Sequence, residues 1–323
     1  MSEISRAITA SSAAISAPSG LPAEVTIWEV GPRDGLQNEK TIVPVEVKAE
    51  FIHRLAGVGH KVIEATSFVH PSWVPQLADA EELLERLAGE QRVLPNLPVL
   101  VPNERGLDRA LSLGVEQIAV FGSATETFAN KNLNRTFESQ WAMFEPTMVR
   151  AKEQGLYVRG YLSMCFGDPW EGAVPIEQVV TAGRRLLDLG ADQLSLGDTI
   201  GTGTPGHVKA LLRAFADAGV GIDKIAVHFH DTYGQALANA YAAMQEGVTT
   251  LDASAGGLGG CPYAKSATGN LATEDLVYLC EGLGVRTGVD LAGLVETSVW
   301  MAAQLGRPSP SRVVTALGAE SHP

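Results

Sequence analysis

Eight short apolar runs alternate with eight amphipathic stretches along most of this chain, and that alternation leaves few folds open. The runs fall at residues 25–30, 61–65, 98–101, 117–121, 157–163, 192–196, 225–230 and 250–253. The stretches at 45–57, 76–87, 104–113, 137–154, 176–189, 204–218, 233–246 and 274–283 carry helical periodicity. Strands that alternate with helices predict a parallel sheet, because each parallel pair needs a crossover connection. Eight such units predict closure into a (β/α)8 TIM barrel of the α/β class, with an extra C-terminal helix over 291–304. Glycines at 57, 114, 155, 190 and 247 stand where helices need left-handed caps, and Thr204-Pro205 reads as an N-cap before a proline at the first helical position. An open doubly wound sheet is the alternative. Its G-x-G-x-x-G fingerprint should follow the first strand, where Gly31-Pro32-Arg33-Asp34-Gly35 stands instead.

A content of 45% hydrophobic and 19% charged residues in 323 suits one large core. With 24 basic and 37 acidic residues the net charge is −13, so neither nucleic acid nor a membrane surface is expected as a partner. A small anionic ligand needs only a few local cations. Three cysteines (Cys165, Cys261, Cys280) make no disulfide framework, and a reducing, cytoplasmic compartment is expected. No apolar run approaches the ~18 residues of a membrane span. Residues 1–22, rich in Ser and Ala, read as a disordered leader, 23–307 as the catalytic domain and 308–323 as a flexible tail. A transit peptide is a competing reading of the leader, which Glu3 and the single Arg6 fit poorly.

In a barrel, the C-terminal ends of all strands meet at one mouth. His228 and His230, one residue apart on a strand, point to the same face there. Asp34 follows the first strand and is a candidate third ligand; Asn270, after the eighth, could give an amide oxygen. Two nitrogens and two oxygens without thiolate suit Mg2+ or Mn2+, with zinc the alternative. Arg33 presents a permanent charge and a planar fork for a thioester or carboxylate oxygen or a developing enolate. Glu64 ends the second strand and is its expected partner, Gln37 and Thr199 are expected substrate contacts, and Glu29 and Asp198 could support the site from behind. Cys261 follows a loop containing Gly256, Gly257, Gly259 and Gly260, where a thiol could accept or deliver a proton once the loop closes. Cys280, in an apolar helical run, reads as core; Cys165 is left open.

The strings Glu29-Val30-Gly31-Pro32-Arg33-Asp34-Gly35-Leu36-Gln37-Asn38, Ser195-Leu196-Gly197-Asp198-Thr199-Ile200-Gly201, His228-Phe229-His230-Asp231-Thr232-Tyr233-Gly234-Gln235 and Gly256-Gly257-Leu258-Gly259-Gly260-Cys261-Pro262-Tyr263 are more specific. Together they resemble the hydroxymethylglutaryl-CoA lyase family, within the aldolase-type TIM-barrel metallolyases. The resemblance runs from about 25 to 307. It implies an acyl-CoA substrate, a Mg2+ or Mn2+ cofactor, and cleavage of 3-hydroxy-3-methylglutaryl-CoA to acetyl-CoA and acetoacetate, as in leucine degradation and ketone body formation. Residue by residue, it implies Asp34, His228, His230 and Asn270 as metal ligands, Arg33 and Glu64 as catalytic groups and Cys261 as the catalytic thiol. A homodimer is expected, with the helix at 291–304 as a possible interface.

Met164 and Asp168 stand where familiar members of the family carry cysteine, so the accepted acyl chain is open, with Phe166, Asp168 and Trp170 the residues to watch. A longer 3-hydroxyglutaryl-CoA homologue is the alternative substrate. A synthase of the same superfamily is disfavoured by the Gly-rich cysteine loop, and a non-catalytic binding role by the intact ligand set. Lys40 and Lys131 are candidate contacts for CoA phosphates.

Overall fold

The structure is a computed structural model, and it describes residues 17–90, 92–260 and 269–318. Nine strands, β1 (Thr26–Glu29), β2 (Val62–Ile63), β3 (Thr66–Ser67), β4 (Val99–Leu100), β5 (Gln117–Ser123), β6 (Tyr157–Ser163), β7 (Gln193–Asp198), β8 (Ile225–Phe229) and β9 (Thr250–Ala253), form one sheet. Its order is β2-β1-β9-β8-β7-β6-β5-β4-β3, and every pairing is parallel. β2 and β3 are consecutive in the chain, so the two ends of that order are one passage and the sheet closes. The predicted barrel is therefore present, with its second strand handed from one neighbour to the other. Glu64 donates its N–H to Glu29 O of β1 at 2.8 Å, and Ala65 donates to Pro98 O beside β4 at 3.0 Å.

Crossover helices at Val45–Gly57, Ala80–Gly89, Glu104–Ser112, Ser139–Glu153, Ile176–Asp188, Pro205–Asp217, Ala236–Gln245 and Thr273–Gly282 cover the outside. Four of the anticipated caps, Gly114, Gly155, Gly190 and Gly247, have positive φ; after the first helix Gly59 (φ 102°), not Gly57, takes that role. Thr204 is extended as an N-cap should be, although its hydroxyl makes no capping bond. A further helix, Glu126–Leu133, went unanticipated because its eight polar-rich residues carry little periodicity.

Helix Leu291–Leu305 packs against Val45–Gly57 and against a last helix, Arg312–Gly318, which lies within the segment expected as a tail. Asp275 anchors that segment by accepting from Ser311 Oγ at 2.7 Å and Val313 N at 2.9 Å, and Val314 is buried. Of the expected leader, residues 1–16 lie outside the described residues, while Ala17 and Leu21 pack on the core.

The main apolar core, with Phe51, Ile63, Phe144, Leu186 and Phe215, is one continuous cluster that includes strands and covering helices. Charged and polar side chains, Glu64, Arg159, Ser195 and Asp252, are also completely or almost completely buried on the strands and at their ends. At the rim, the Glu29 carboxylate accepts from Gly31 N (2.8 Å), Ala255 N (2.9 Å) and Thr273 Oγ1 (2.7 Å), so the turns after β1 and β9 share one clamp. Glu274 accepts from Gly256 N at 2.9 Å and from the Ser298 hydroxyl. Burial, opposed by these hydrogen bonds, raises Glu29 to about 7 and Glu274 to about 8.

These raised carboxyls give stability a definite sign of pH dependence. The unfolded chain releases both protons near the ordinary value of 4.5, the folded chain only near 7 and 8. Between those limits the native state binds more protons, so stability falls as pH rises, by about 1.4 kcal/mol per pH unit for each group. Urea unfolding across this interval should show a shallower decline for Glu274→Gln than for the wild type; an equal slope would contradict the assignment.

Candidate active site and metal centre

β1 ends at Glu29 and the chain turns at once through a single π-helical turn, Gly31–Gly35, in which Asp34 N and Gly35 N both bond to Val30 O (2.8 and 3.0 Å). That turn brings Arg33 and Asp34 to the mouth. β8 delivers His228, and His230 follows just beyond it, bridged through its backbone to Asn270. Residues more than 190 positions apart are thereby neighbours: one ligand atom each from Asp34, His228 and His230 lie within 4.8 Å of one another.

The four proposed ligands fit a cation. His228 Nε2 and His230 Nε2 stand 3.3 Å apart, two ring nitrogens converging on one point. Asn270 donates its Nδ2 to Asp34 Oδ2 at 2.8 Å and to Leu258 O at 3.0 Å. Its Oδ1 is buried without a hydrogen-bond partner, the kind of orphaned oxygen that a hard divalent ion would satisfy.

The electrostatics are set by the neighbours. Burial alone would raise Asp34, but Arg33, His228, His230 and the Asn270 amide outweigh it and hold the carboxyl at about 2. Burial, with the charge of His228, lowers His230 to about 4. His228 goes the other way: burial opposes its charged form, yet the hydrogen bond and charge of Asp252, with Asp34 behind, raise it above the usual imidazole range.

Arg33 and Glu64 form the pair expected from the sequence, Nε to Oε1 at 2.7 Å, while Nη1 donates to Asp34 Oδ1 at 2.9 Å. The other oxygen of Glu64 accepts from the Tyr161 hydroxyl, and Arg33 lies 5.4 Å from the centre of that ring. Tyr161, together with Arg159, Asp252 and Ser195, escaped the sequence reading. The signal was present as period-2 polar positions, Arg159 and Tyr161 on β6 and Asp252 on β9, within otherwise apolar strands.

Above these groups opens a cavity of about 650 Å3, whose wall includes Arg33, Asp34, Gln37, Tyr161, Thr199, His228 and His230. Glu64 and Asn270 are not part of that wall; they act on it through Arg33 and Asp34. Thr199 also accepts from Met164 N at 2.9 Å, pinning a residue whose φ of 61° is unusual outside glycine. Cys261 lies outside the described residues; Gly260, just before it, lines the cavity. Beside it Gly259 (φ 114°) passes so near Gly269 that a Cβ on Gly269 would come within 2.1 Å of its carbonyl oxygen, so this approach needs glycine.

Other sequence candidates serve elsewhere. Glu29 clamps the rim, and Asp198, raised to about 6 by burial, accepts from Thr202 N and Gly203 N in the turn after β7. Phe166, Asp168 and Trp170 are not on the cavity wall; Asp168 accepts from Thr125 Oγ1 at 2.6 Å and organises its own loop. Lys40 and Lys131 are likewise absent from the wall, and Lys131 Nζ sits 5.0 Å over Trp170. Cys280 is buried core as expected, and Cys165 is buried with its thiol pushed well up by desolvation, which leaves it unreactive. Among the described residues no helix is long and apolar enough to cross a membrane.

Comparison with known proteins agrees with this geometry. The family model HMGL-like matches residues 24–300. The chain is 50% identical over 298 residues to the mitochondrial hydroxymethylglutaryl-CoA lyase of Arabidopsis thaliana, covering 92% of this chain but only 63% of that protein. It is 46% identical over 298 residues to the cytoplasmic 3-hydroxy-3-methylglutaryl-CoA lyase of Rattus norvegicus, covering 92% and 86% respectively. The crystal structure of hydroxymethylglutaryl-CoA lyase from Pseudomonas aeruginosa superposes with a TM-score of 0.90 at 44% identity, over 93% of this chain and 99% of that one. Fold and relatives agree, and the chain belongs to the HMGL-like family of carbon–carbon lyases.

Proposed function

We propose that this protein cleaves 3-hydroxy-3-methylglutaryl-CoA to acetyl-CoA and acetoacetate with the help of Mg2+ or Mn2+. The observation that carries the reading is the convergence of Asp34, His228 and His230, with the orphaned Asn270 oxygen behind them, beside a buried Arg33 on the cavity wall. Asp34, His228, His230 and Asn270 would hold the ion. When bound, it would supply Lewis acidity to the tertiary C3 hydroxyl and a neighbouring oxygen of the substrate.

The side chains account for the rest. Arg33, fixed by Glu64 and Asp34, would hold the thioester oxygen and the enolate charge that develops as the C2–C3 bond breaks. Asp34, ionised on the cavity wall, is the candidate to accept the hydroxyl proton. Gln37 and Thr199 would add polar contacts to the acyl group. Cys261, carried by the Gly-rich loop, would help to protonate the enolate and release acetyl-CoA. The same proposal places the protein in the cytoplasm, in leucine degradation and ketone body formation, as a homodimer whose interface includes the helix Leu291–Leu305; native mass measurement tests that state.

Purified protein with Mg2+ or Mn2+ is expected to release equal amounts of acetoacetate and acetyl-CoA, to lose this activity with a chelator and to regain it when either ion is restored. Absence of acetoacetate under these conditions would overturn the reading. Arg33→Met should lower kcat about 10²–10³-fold, the usual cost of losing one oxyanion donor. Because Glu64 is fully buried, the same change strips a partner from a buried charge and should cost about 3–5 kcal/mol of stability. Rates are therefore compared at a temperature where circular dichroism shows both proteins folded; an unaltered kcat would remove Arg33 from the chemistry.

A further inference from the structure

We infer that Asp252, itself set by Arg159 and Ser195, is a positioning residue that decides which nitrogen of His228 faces the cavity, and so preforms the cation site. The inference rests on the reading of the mouth as a divalent-cation site and names groups that reach it only from inside the barrel. Asp252 lies on β9 and is 2% exposed. Its Oδ2 stands 3.2 Å from His228 Nδ1 and accepts from Ser195 Oγ at 2.9 Å; its Oδ1 accepts from Arg159 Nη2 at 2.5 Å.

An ionised carboxylate can only accept, so the nitrogen it faces must carry the ring proton. In the neutral imidazole that leaves His228 Nε2 bare, and this is the atom 3.3 Å from His230 Nε2. The inverted tautomer would aim an N–H into the space where the ligands converge and exclude a cation. Asp252 can enforce the productive tautomer only while it stays charged, and a fully buried carboxylate stays charged only beside a cation.

Arg159 meets that need at evident expense. It is completely buried, and its Nε and Nη1 have no hydrogen-bond partner. The guanidinium lies 4.0 Å over the Trp28 ring and 5.1 Å from Tyr161, which replace lost water with two π faces. A guanidinium left with donors unmet in a barrel interior is hard to explain as packing. It is explained as the counter-charge that keeps Asp252 ionised behind His228.

The test is Mn2+ binding by the metal-free full chain, read by the electron paramagnetic resonance of free Mn2+ and requiring no turnover. Asp252→Asn should raise the Mn2+ Kd about 10–100-fold, the usual effect of removing a carboxylate that orients a ligating histidine. The double change Arg159→Met with Asp252→Asn removes both charges together, avoids an unpaired buried guanidinium and should weaken binding to the same extent. Nitrogen NMR of the metal-free wild type, at a pH where imidazole is neutral, should show His228 protonated at Nδ1. Equal Kd values for wild type and either folded variant, or a proton on Nε2, would overturn the inference while leaving the cation reading intact. A wild type that binds no Mn2+ would overturn both. Should neither variant fold, the NMR tautomer decides.

Discussion

The pairing of buried charges inside the barrel is the constraint on which the rest of this structure depends. Glu64, Arg159 and Asp252 are almost wholly out of water and Arg33 nearly so. Each buried ion costs several kcal/mol in lost hydration, and only close, hydrogen-bonded pairing offsets that. The barrel meets the demand by joining Arg33 to Glu64 and Arg159 to Asp252. Each pair then reaches the mouth through one further contact, Arg33 to Asp34 and Asp252 to His228. The side chains that converge at the mouth are thus fixed from below by groups that cannot move without exposing an unpaired charge.

This arrangement also divides the two imidazoles. His228 is backed at Nδ1 by Asp252, whereas His230, with an unpartnered Nδ1, is held neutral to about 4 by burial and the charge of His228. Beside them Asp34 remains ionised to about 2 because Arg33 and the histidines outweigh the cost of its burial. One anionic oxygen and two ring nitrogens converge in a partly buried pocket, a donor set that suits a divalent cation. The geometry of the pocket and the chemistry of the family therefore point the same way.

The loops that finish the site are braced differently. Glu29 and Glu274 grip the backbone N–H groups at the root of the Gly-rich loop, and Ser309 closes it from the C-terminal side through Gly256 O at 2.7 Å. A Cβ on Gly259 would come within 2.6 Å of Asn270 Nδ2, the atom that donates to Asp34, so glycine there leaves that contact room. The C-terminal segment thus braces the loop root, and among the described residues no side chain of Leu291–Leu305 or Arg312–Gly318 lines the cavity.

Much of this was legible in the amino-acid sequence. The alternation of short apolar runs and amphipathic stretches specified eight strands and their crossovers, since period 2 and period 3.6 are local properties of the chain. His228 and His230 were readable as one-faced because strand geometry is local too, and Arg33 and Asp34 because they follow a strand directly. Helix Glu126–Leu133 and the splitting of the second strand were not, because the first lacks periodicity and the second is a consequence of closure. Nor could the sequence show that Phe166, Asp168 and Trp170 are not on the cavity wall. Above all, Tyr161, Arg159 and Asp252 became parts of the site only when the sheet closed and set β6 and β9 across one lumen; which buried charge pairs with which is a property of three-dimensional distance, and no spacing along the chain encodes it.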